Sequence, residues 1–353
     1  MQRLLTDQKT ITTTRLEEVA TTDLRPGEAR LRLESFALTA NNVTYAASGF
    51  AIGYWQFFPT DIDGQGLVPV WGTAEVVEST AADLAVGTRL YGFYPMAEEL
   101  VIAPQPDGHG GFVDAAAHRA ELPAVYNRYT PVRSGADDDH MRALLQPLLA
   151  TSYLLYDWLM DNACFGVSQI IIGSASSKTG LGLCKYLAEP AKRAYRIIGL
   201  TSTRNRAFVE GLGACDLVLT YDEIAQLPAQ PSVYIDMSGN AEVKRAVHST
   251  LGAHLKHSAA VGISHWDQFQ PQIKVEGVKP QFFFAPAQIA KRREEWGPGV
   301  MEKQITQAWK RLAADAGSWL DLRVHDGIGQ AQAVFGALAD GSAKPRDGHI
   351  IRL

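Results

Sequence analysis

Cysteine is scarce in this chain: Cys164, Cys184 and Cys215 are the only three in 353 residues, odd in number and without paired spacing. That excludes a disulfide framework and a four-thiolate zinc lobe, and it suits a reducing compartment. Long apolar runs are missing too. The longest uncharged stretch, Ser35 to Thr60, contains Asn41, Asn42, Gln56 and Pro59 and fails as a membrane span. The opening MQRLLTDQKT has no apolar segment of signal type, so a cytoplasmic protein is expected. Positive charge is not in excess: 33 Lys and Arg against 38 Asp and Glu give a net charge of −5. Neither a nucleic acid nor an anionic membrane is therefore expected as a partner. No internal repeat or low-complexity segment occurs.

What is present reads as a globular protein, 46% apolar and 20% charged, with a length that favours two domains. Up to about residue 115 the pattern is short strands and turns: Ala29 to Phe36, Thr73 to Glu78, Gly87 to Gly92 and Glu99 to Ile102. Strands at this spacing predict a small β-barrel. Residues 104–140, rich in Gly, Pro and Asp, read as irregular. From Met141 the period becomes helical, with a break expected at Pro147. Strands at Gln169–Ile172, Tyr195–Leu200, Leu217–Leu219, Ser232–Asp236 and Ala259–Ile263 then alternate with helices at Gly180–Glu189, Arg204–Leu212 and Ala241–Leu251. That alternation predicts an α/β fold with a doubly wound parallel sheet. A helix at Gly329–Ala339 and a strand at His349–Leu353 close the chain.

The most informative segment is Ile170-Ile-Ile-Gly-Ser-Ala-Ser-Ser-Lys-Thr-Gly-Leu-Gly-Leu183, a strand entering a helix through small residues. Such a turn aims backbone N–H groups and the positive end of the helix dipole at an anion. A P-loop fits poorly, because Lys178 follows Gly173 too closely and Ser177 occupies the second glycine's place. In the dinucleotide pattern G-x-G-x-x-G the three positions are Ala175, Ser177 and Gly180, so one glycine of three is kept. A structural turn without a ligand is the competing reading. The end of the next strand favours the ligand: Thr201-Ser-Thr-Arg204, with Arg206 following, holds no carboxylate for a free ribose 2′-hydroxyl. Hydroxyls beside a guanidinium suit a 2′-phosphate, which points to NADPH rather than NADH.

With these residues in place the chain resembles the medium-chain dehydrogenase/reductase superfamily, on its zinc-free, quinone oxidoreductase-like side, in a branch with an S-A-S-S-K-T-G turn. Gly27 to Leu38, Pro69 to Val77, Gly87 to Gly92, Phe208 to Ala214 and Ala331 to Leu353 carry the resemblance in order along nearly the whole chain. It implies a GroES-like β-barrel domain at 1–140 and 325–353 and a Rossmann domain at 141–324. No Cys precedes Cys164, so the catalytic zinc ligands of other members have no counterpart and no metal is expected.

The resemblance places Asn42 and Tyr45 at the nicotinamide and substrate, to orient the ring and donate to the substrate oxygen. A turn cap for Asn42 and a buried phenol for Tyr45 are the alternatives. The implied cofactor contacts are Thr151, Ser174, Ala175, Ser176, Ser177, Lys178, Thr179, Gly180, Thr201, Ser202, Arg204, Ser238, Gly262 and Ser264. Phe50, Tyr54, Trp55, Phe57 and Phe58 read as an apolar pocket or as core. The expected protein is a zinc-independent, NADPH-dependent oxidoreductase that reduces a small-molecule quinone, enone or carbonyl acceptor by direct hydride transfer, with a homodimer as the family's habit. A non-catalytic NADPH-binding sensor or assembly protein is the alternative, and a P-loop phosphotransferase stands behind both.

Overall fold

A computed structural model describes residues 1–133, 135–262, 265–268 and 274–353. Two compact units emerge, residues 1–144 with 321–353, and residues 145–320. Among the described residues no helix is long and apolar enough to cross a membrane.

In the first unit the strand Ala29–Leu38 runs antiparallel to Pro69–Ser79, which pairs in turn with Arg89–Pro95. The strand Asp347–Arg352 joins the other side of Ala29–Leu38 and runs parallel to Asp321–Asp326. The 104–140 stretch departs from expectation. Short strands Pro104–Pro106, Phe112–Asp114 and Arg128–Pro131 extend the same sheet. They are too short to show a period; a buried ion pair between Arg119 and Asp114 (3.2 Å) and the Tyr129 ring anchor them instead. That ring lies where a Cβ on Gly92 would come within 2.3 Å, so only glycine fits there. Tyr54, Trp55, Phe57 and Phe58 are buried core residues, and Phe50 alone of that group is exposed, at 69%.

The second unit is a parallel sheet of Gln169–Gly173, Arg196–Thr201, Leu217–Thr220, Ser232–Asp236, Leu255–Ala260 and Gln281–Phe282. Counted along the chain, its strands lie in the order 3-2-1-4-5-6, the order of dinucleotide-binding sheets. Ile170 and Ile172 pack on one face with Leu183 and Cys184, and Ile171 packs on the other with Val243 and Val247. Each fully buried Ile contributes about 1.5–3 kcal/mol, which fixes the strand that carries the glycine-rich turn.

Three local expectations are corrected. The helix Ala136–Asp161 runs on through Pro147; burial of Leu144, Leu145, Leu148 and Leu149 outweighs a proline cost of about 3 kcal/mol. The fifth strand starts at Leu255, because His257 is buried by stacking on Phe165 (4.3 Å, 9°) and so acts as a core residue. The helix expected from Arg204 opens as a 3-10 turn, Thr203–Asn205, and is α-helical over Arg206–Gly211. Before the first parallel strand, Ala163, Cys164 and Phe165 all adopt the left-handed conformation, with φ of 47°, 49° and 55°.

Candidate functional site

The first parallel strand ends at Gly173, and the helix Lys178–Ala188 begins directly after a turn of small residues. Ser174 takes a left-handed φ of 53°, and the Ala175 amide donates to the Leu200 carbonyl (2.9 Å). Ser177 caps the helix: its Oγ accepts from the Gly180 amide (3.1 Å) and donates to the Ser174 carbonyl (2.7 Å). A Cβ on Gly180 would sit 2.6 Å from the Ser174 oxygen, so the turn closes onto the helix only with glycine there. From behind, Ser152 Oγ donates to the Thr179 carbonyl (2.8 Å). The result is a rigid loop at the positive end of a helix, with Lys178 as its first helical residue.

This geometry also disposes of the P-loop alternative. Ser177 holds the position a P-loop glycine needs. Asp236, the carboxylate that would have served magnesium, is consumed internally. Its Oδ1 accepts from the Ser238 amide (2.9 Å), the Ser238 hydroxyl (2.8 Å) and the Gly239 amide (3.0 Å).

At the end of the second strand Thr201 is fully buried and donates to Ser176 Oγ (3.1 Å), which Asn205 Nδ2 also reaches (3.3 Å). Thr201 and Ser176 therefore tie the two strand ends together. Ser202 Oγ is buried and has no hydrogen-bond partner. An orphaned buried hydroxyl costs about 1–3 kcal/mol, and a phosphate oxygen would satisfy it. Arg204 beside it is exposed. Arg206 is already committed, with its guanidinium 2.9 Å from both Glu210 and Glu223. Glu210 four residues on and Glu223 farther along the chain hold it. This hydroxyl-and-guanidinium corner fits a 2′-phosphorylated adenosine.

The remaining sequence-predicted residues divide. Ser238 lies at the carboxyl end of the fourth strand, its hydroxyl turned inward to Asp236. A Cβ on Gly262 would come 2.9 Å from the Met237 carbonyl, so these strand ends pack backbone to backbone. Ser264 lies outside the described residues. Thr151 Oγ1 bonds the Pro147 carbonyl of its own helix (3.1 Å), the local alternative. Neighbouring Ser152 makes the contact to the turn.

In the first unit Asn42 is buried and spent locally. Its Oδ1 accepts from the Thr39 amide (2.8 Å) in a capping box for the helix Ala40–Ala47, and its Nδ2 donates to the Pro69 carbonyl (2.9 Å). Asn42 is thus a brace between helix and strand; the expected contact with nicotinamide or substrate is corrected to the cap. Tyr45 is 5% exposed and packs against Tyr54 (4.4 Å between centroids) and Phe93 (5.6 Å). Burial pushes its pKa well above the ordinary phenol range, so it is protonated at neutral pH.

Sequence reading missed several residues at the strand ends. Asn240 caps the helix Ala241–Leu251 and turns its Nδ2 to Gln268 and to His265 Nδ1 (3.4 Å). Tyr221 meets the His265 ring edge-on at 5.7 Å. Asn240, following Ser238-Gly239, was the available signal. Among the described residues no group of three or more His, Cys, Asp or Glu is placed to hold a metal ion.

A family described as a protein of unknown function, DUF2855, matches residues 36–344. No curated protein matches the sequence. Solved structures share the fold. CurA from Vibrio vulnificus in complex with NADPH has a TM-score of 0.64 and 13% identity over 100% of this chain and 99% of that one. YhdH from E. coli K-12 with bound NADPH has a TM-score of 0.56 and 16% identity over 99% of each chain. A quinone oxidoreductase from Pseudomonas syringae pv. tomato DC3000 has a TM-score of 0.58 and 12% identity over 99% of each chain. The parallel sheet and the antiparallel unit share the fold of these structures.

Proposed function

The chain belongs to the DUF2855 family, and on that premise we propose that it is a zinc-independent, NADPH-dependent oxidoreductase of the medium-chain type, reducing a small-molecule acceptor by direct hydride transfer. The observation that carries this reading is the orphaned Ser202 hydroxyl beside exposed Arg204, at the edge of a Ser177-capped turn. A donor-rich corner whose neighbouring carboxylates, Glu210 and Glu223, are already paired with Arg206 favours a 2′-phosphate over a free ribose hydroxyl. That the folds most like it include NADPH complexes supports the same reading.

Bound there, the cofactor supplies the hydride. The amides at the start of the helix Lys178–Ala188 hold its pyrophosphate, and Ser202 with Arg204 holds its 2′-phosphate. Gly180 lets the backbone approach closely, while Thr201, Ser176 and Asn205 keep the two strand ends in register. Tyr45, protonated at neutral pH, donates to the acceptor oxygen.

The test is thermal shift and calorimetry with NADPH against NADH, followed by an acceptor panel. NADPH should bind and stabilise the protein, with NADH at least about tenfold weaker. No stabilisation by millimolar NADPH overturns the reading, and binding without turnover of any acceptor assigns a sensor.

A further inference from the structure

The parallel sheet has two ends, and the cofactor reading uses only the carboxyl one. At the other end lies a cleft of about 570 Å³, wholly within the second unit, whose walls include Met160, Cys164, Val167, Lys192, Tyr195 and Pro231. Val167, Tyr195 and Pro231 each stand just before one of three adjacent strands, Gln169–Gly173, Arg196–Thr201 and Ser232–Asp236. The volume falls within the range of about 300–1,000 Å³ typical of small-molecule sites.

The walls are apolar because their polar groups are used elsewhere. The Ser168 amide donates to the Pro231 carbonyl (3.0 Å), and the Tyr195 hydroxyl donates to the Leu187 carbonyl (3.1 Å). Ala163, Cys164 and Gly166 line the cleft, while Phe165 between them packs on His257 (4.3 Å) and Trp158 (5.1 Å). That division comes from the left-handed backbone of the segment. Backbone held in so sparsely populated a conformation is found preferentially where ligands are clamped.

The rim carries charge of one sign. Lys192 and Arg193 line the cleft, and no carboxylate does. Arg193 is paired with Asp216, which also accepts from the Ile197 amide (2.8 Å). Asp161 and Glu189, adjacent in sequence to the lining residues Met160 and Pro190, are held by Lys291 and Arg292 and by Arg311. Lys192 is exposed and, among the described residues, makes no ion pair. Apolar walls under an uncommitted ammonium suit a ligand with an apolar body and one negative charge. A cation is repelled there, and a phosphate would want more donors than one ammonium supplies.

We propose that this cleft is a second binding site, for a small apolar carboxylate of the medium-chain aliphatic kind. The chain lies against Met160, Val167 and Tyr195, and the carboxylate meets Lys192. The site is independent of the reductase reading, because cleft and cofactor crevice occupy opposite ends of the strands.

The probes are octanoate and octylamine, of equal chain length and opposite charge at neutral pH, titrated by calorimetry into wild type, Lys192→Glu and Ala194→Trp. Octanoate should bind wild type with a Kd of about 0.1–3 mM, and octylamine at least about fivefold more weakly. Lys192→Glu should weaken octanoate at least about fivefold and strengthen octylamine. Ala194→Trp, which fills the cleft from an exposed lining position, should abolish octanoate binding. In a ¹H–¹⁵N spectrum, octanoate should move the amide signals of residues 163–168 and 192–195 most. No octanoate heat up to 10 mM, a preference or a Lys192→Glu effect below about fivefold, or the largest shifts elsewhere overturns the proposal. So does octanoate binding retained in Ala194→Trp; should that variant not fold, Lys192→Glu and the amide shifts decide. Failure of NADPH to bind removes the reductase reading and leaves this site standing.

Discussion

The ammonium of Lys244 stands 3.1 Å from the Asp236 carboxylate, with side chains 5% and 1% exposed. Asp236 organises the amides of Ser238 and Gly239 at the carboxyl end of the fourth strand, so the pair sets the floor of the proposed cofactor crevice. Removing one partner leaves an uncompensated buried charge. Lys244→Ala should cost about 3–5 kcal/mol in urea unfolding and weaken NADPH binding through disorder of the strand end. An unchanged urea midpoint contradicts this role.

Coenzyme choice should depend on Arg204. A charge-assisted bond to phosphate contributes about 1.5–3 kcal/mol, so Arg204→Ala should weaken NADPH binding roughly 10–100-fold and leave NADH binding nearly unchanged. Ser202→Ala removes a buried orphan, so it should weaken NADPH binding while leaving the free protein's melting temperature unchanged or slightly higher. Calorimetry of both variants with both coenzymes decides.

Gly180 sets helix propensity against space. Alanine there is favoured over glycine by about 1 kcal/mol in a helix, yet its Cβ would meet the Ser174 carbonyl at 2.6 Å. Backbone cannot swing aside as a side chain does, so the clash should win. Gly180→Ala should be destabilising by about 1–3 kcal/mol and should abolish NADPH binding at concentrations that saturate wild type. Ser177→Ala, which loses only the cap, should cost about 1 kcal/mol and weaken binding less.

Acid should destabilise the second unit early. Burial lowers the pKa of His248, His257 and His265 from the ordinary value of 6.5. Their neutral forms are then favoured in the folded state, and the unfolded chain takes up protons first as pH falls. The stability they contribute is present above 6.5 and is lost as pH drops through the window below it. Melting temperature should fall between pH 7 and pH 5 by about several degrees, and His257→Phe, which keeps the stack on Phe165, should flatten that slope.

Long periodic segments were legible from sequence because one period dominated: the isoleucines at 170–172 read as a buried strand, and the parallel sheet followed from the alternation of strand and helix. The small-residue turn was legible as a turn because strand, turn and helix occur in succession. Residue roles were less so. Asn42 was readable as polar and near the right place, but its cap and its bond to Pro69 depend on a strand 27 residues away. The Trp71 bond to Tyr45 and the Glu223 pair with Arg206 are contacts of the same long-range kind. His257 disguised a strand because an imidazole looks polar until an aromatic ring covers it.

The run Ala163–Phe165 winds in the sense that L-residues resist, at about 1–2 kcal/mol for each residue, and it adjoins Gly166, whose φ of 66° incurs no such penalty. Of the three, exposed Ala163 is consequently where that strain is relieved most cheaply, since a glycine there gives up no buried contact, unlike Cys164 in the core or Phe165 on His257. Ala163→Gly should therefore raise the melting temperature, the reverse of what glycine does elsewhere in a folded chain, whereas at Cys164 the buried side chain's packing opposes the relief.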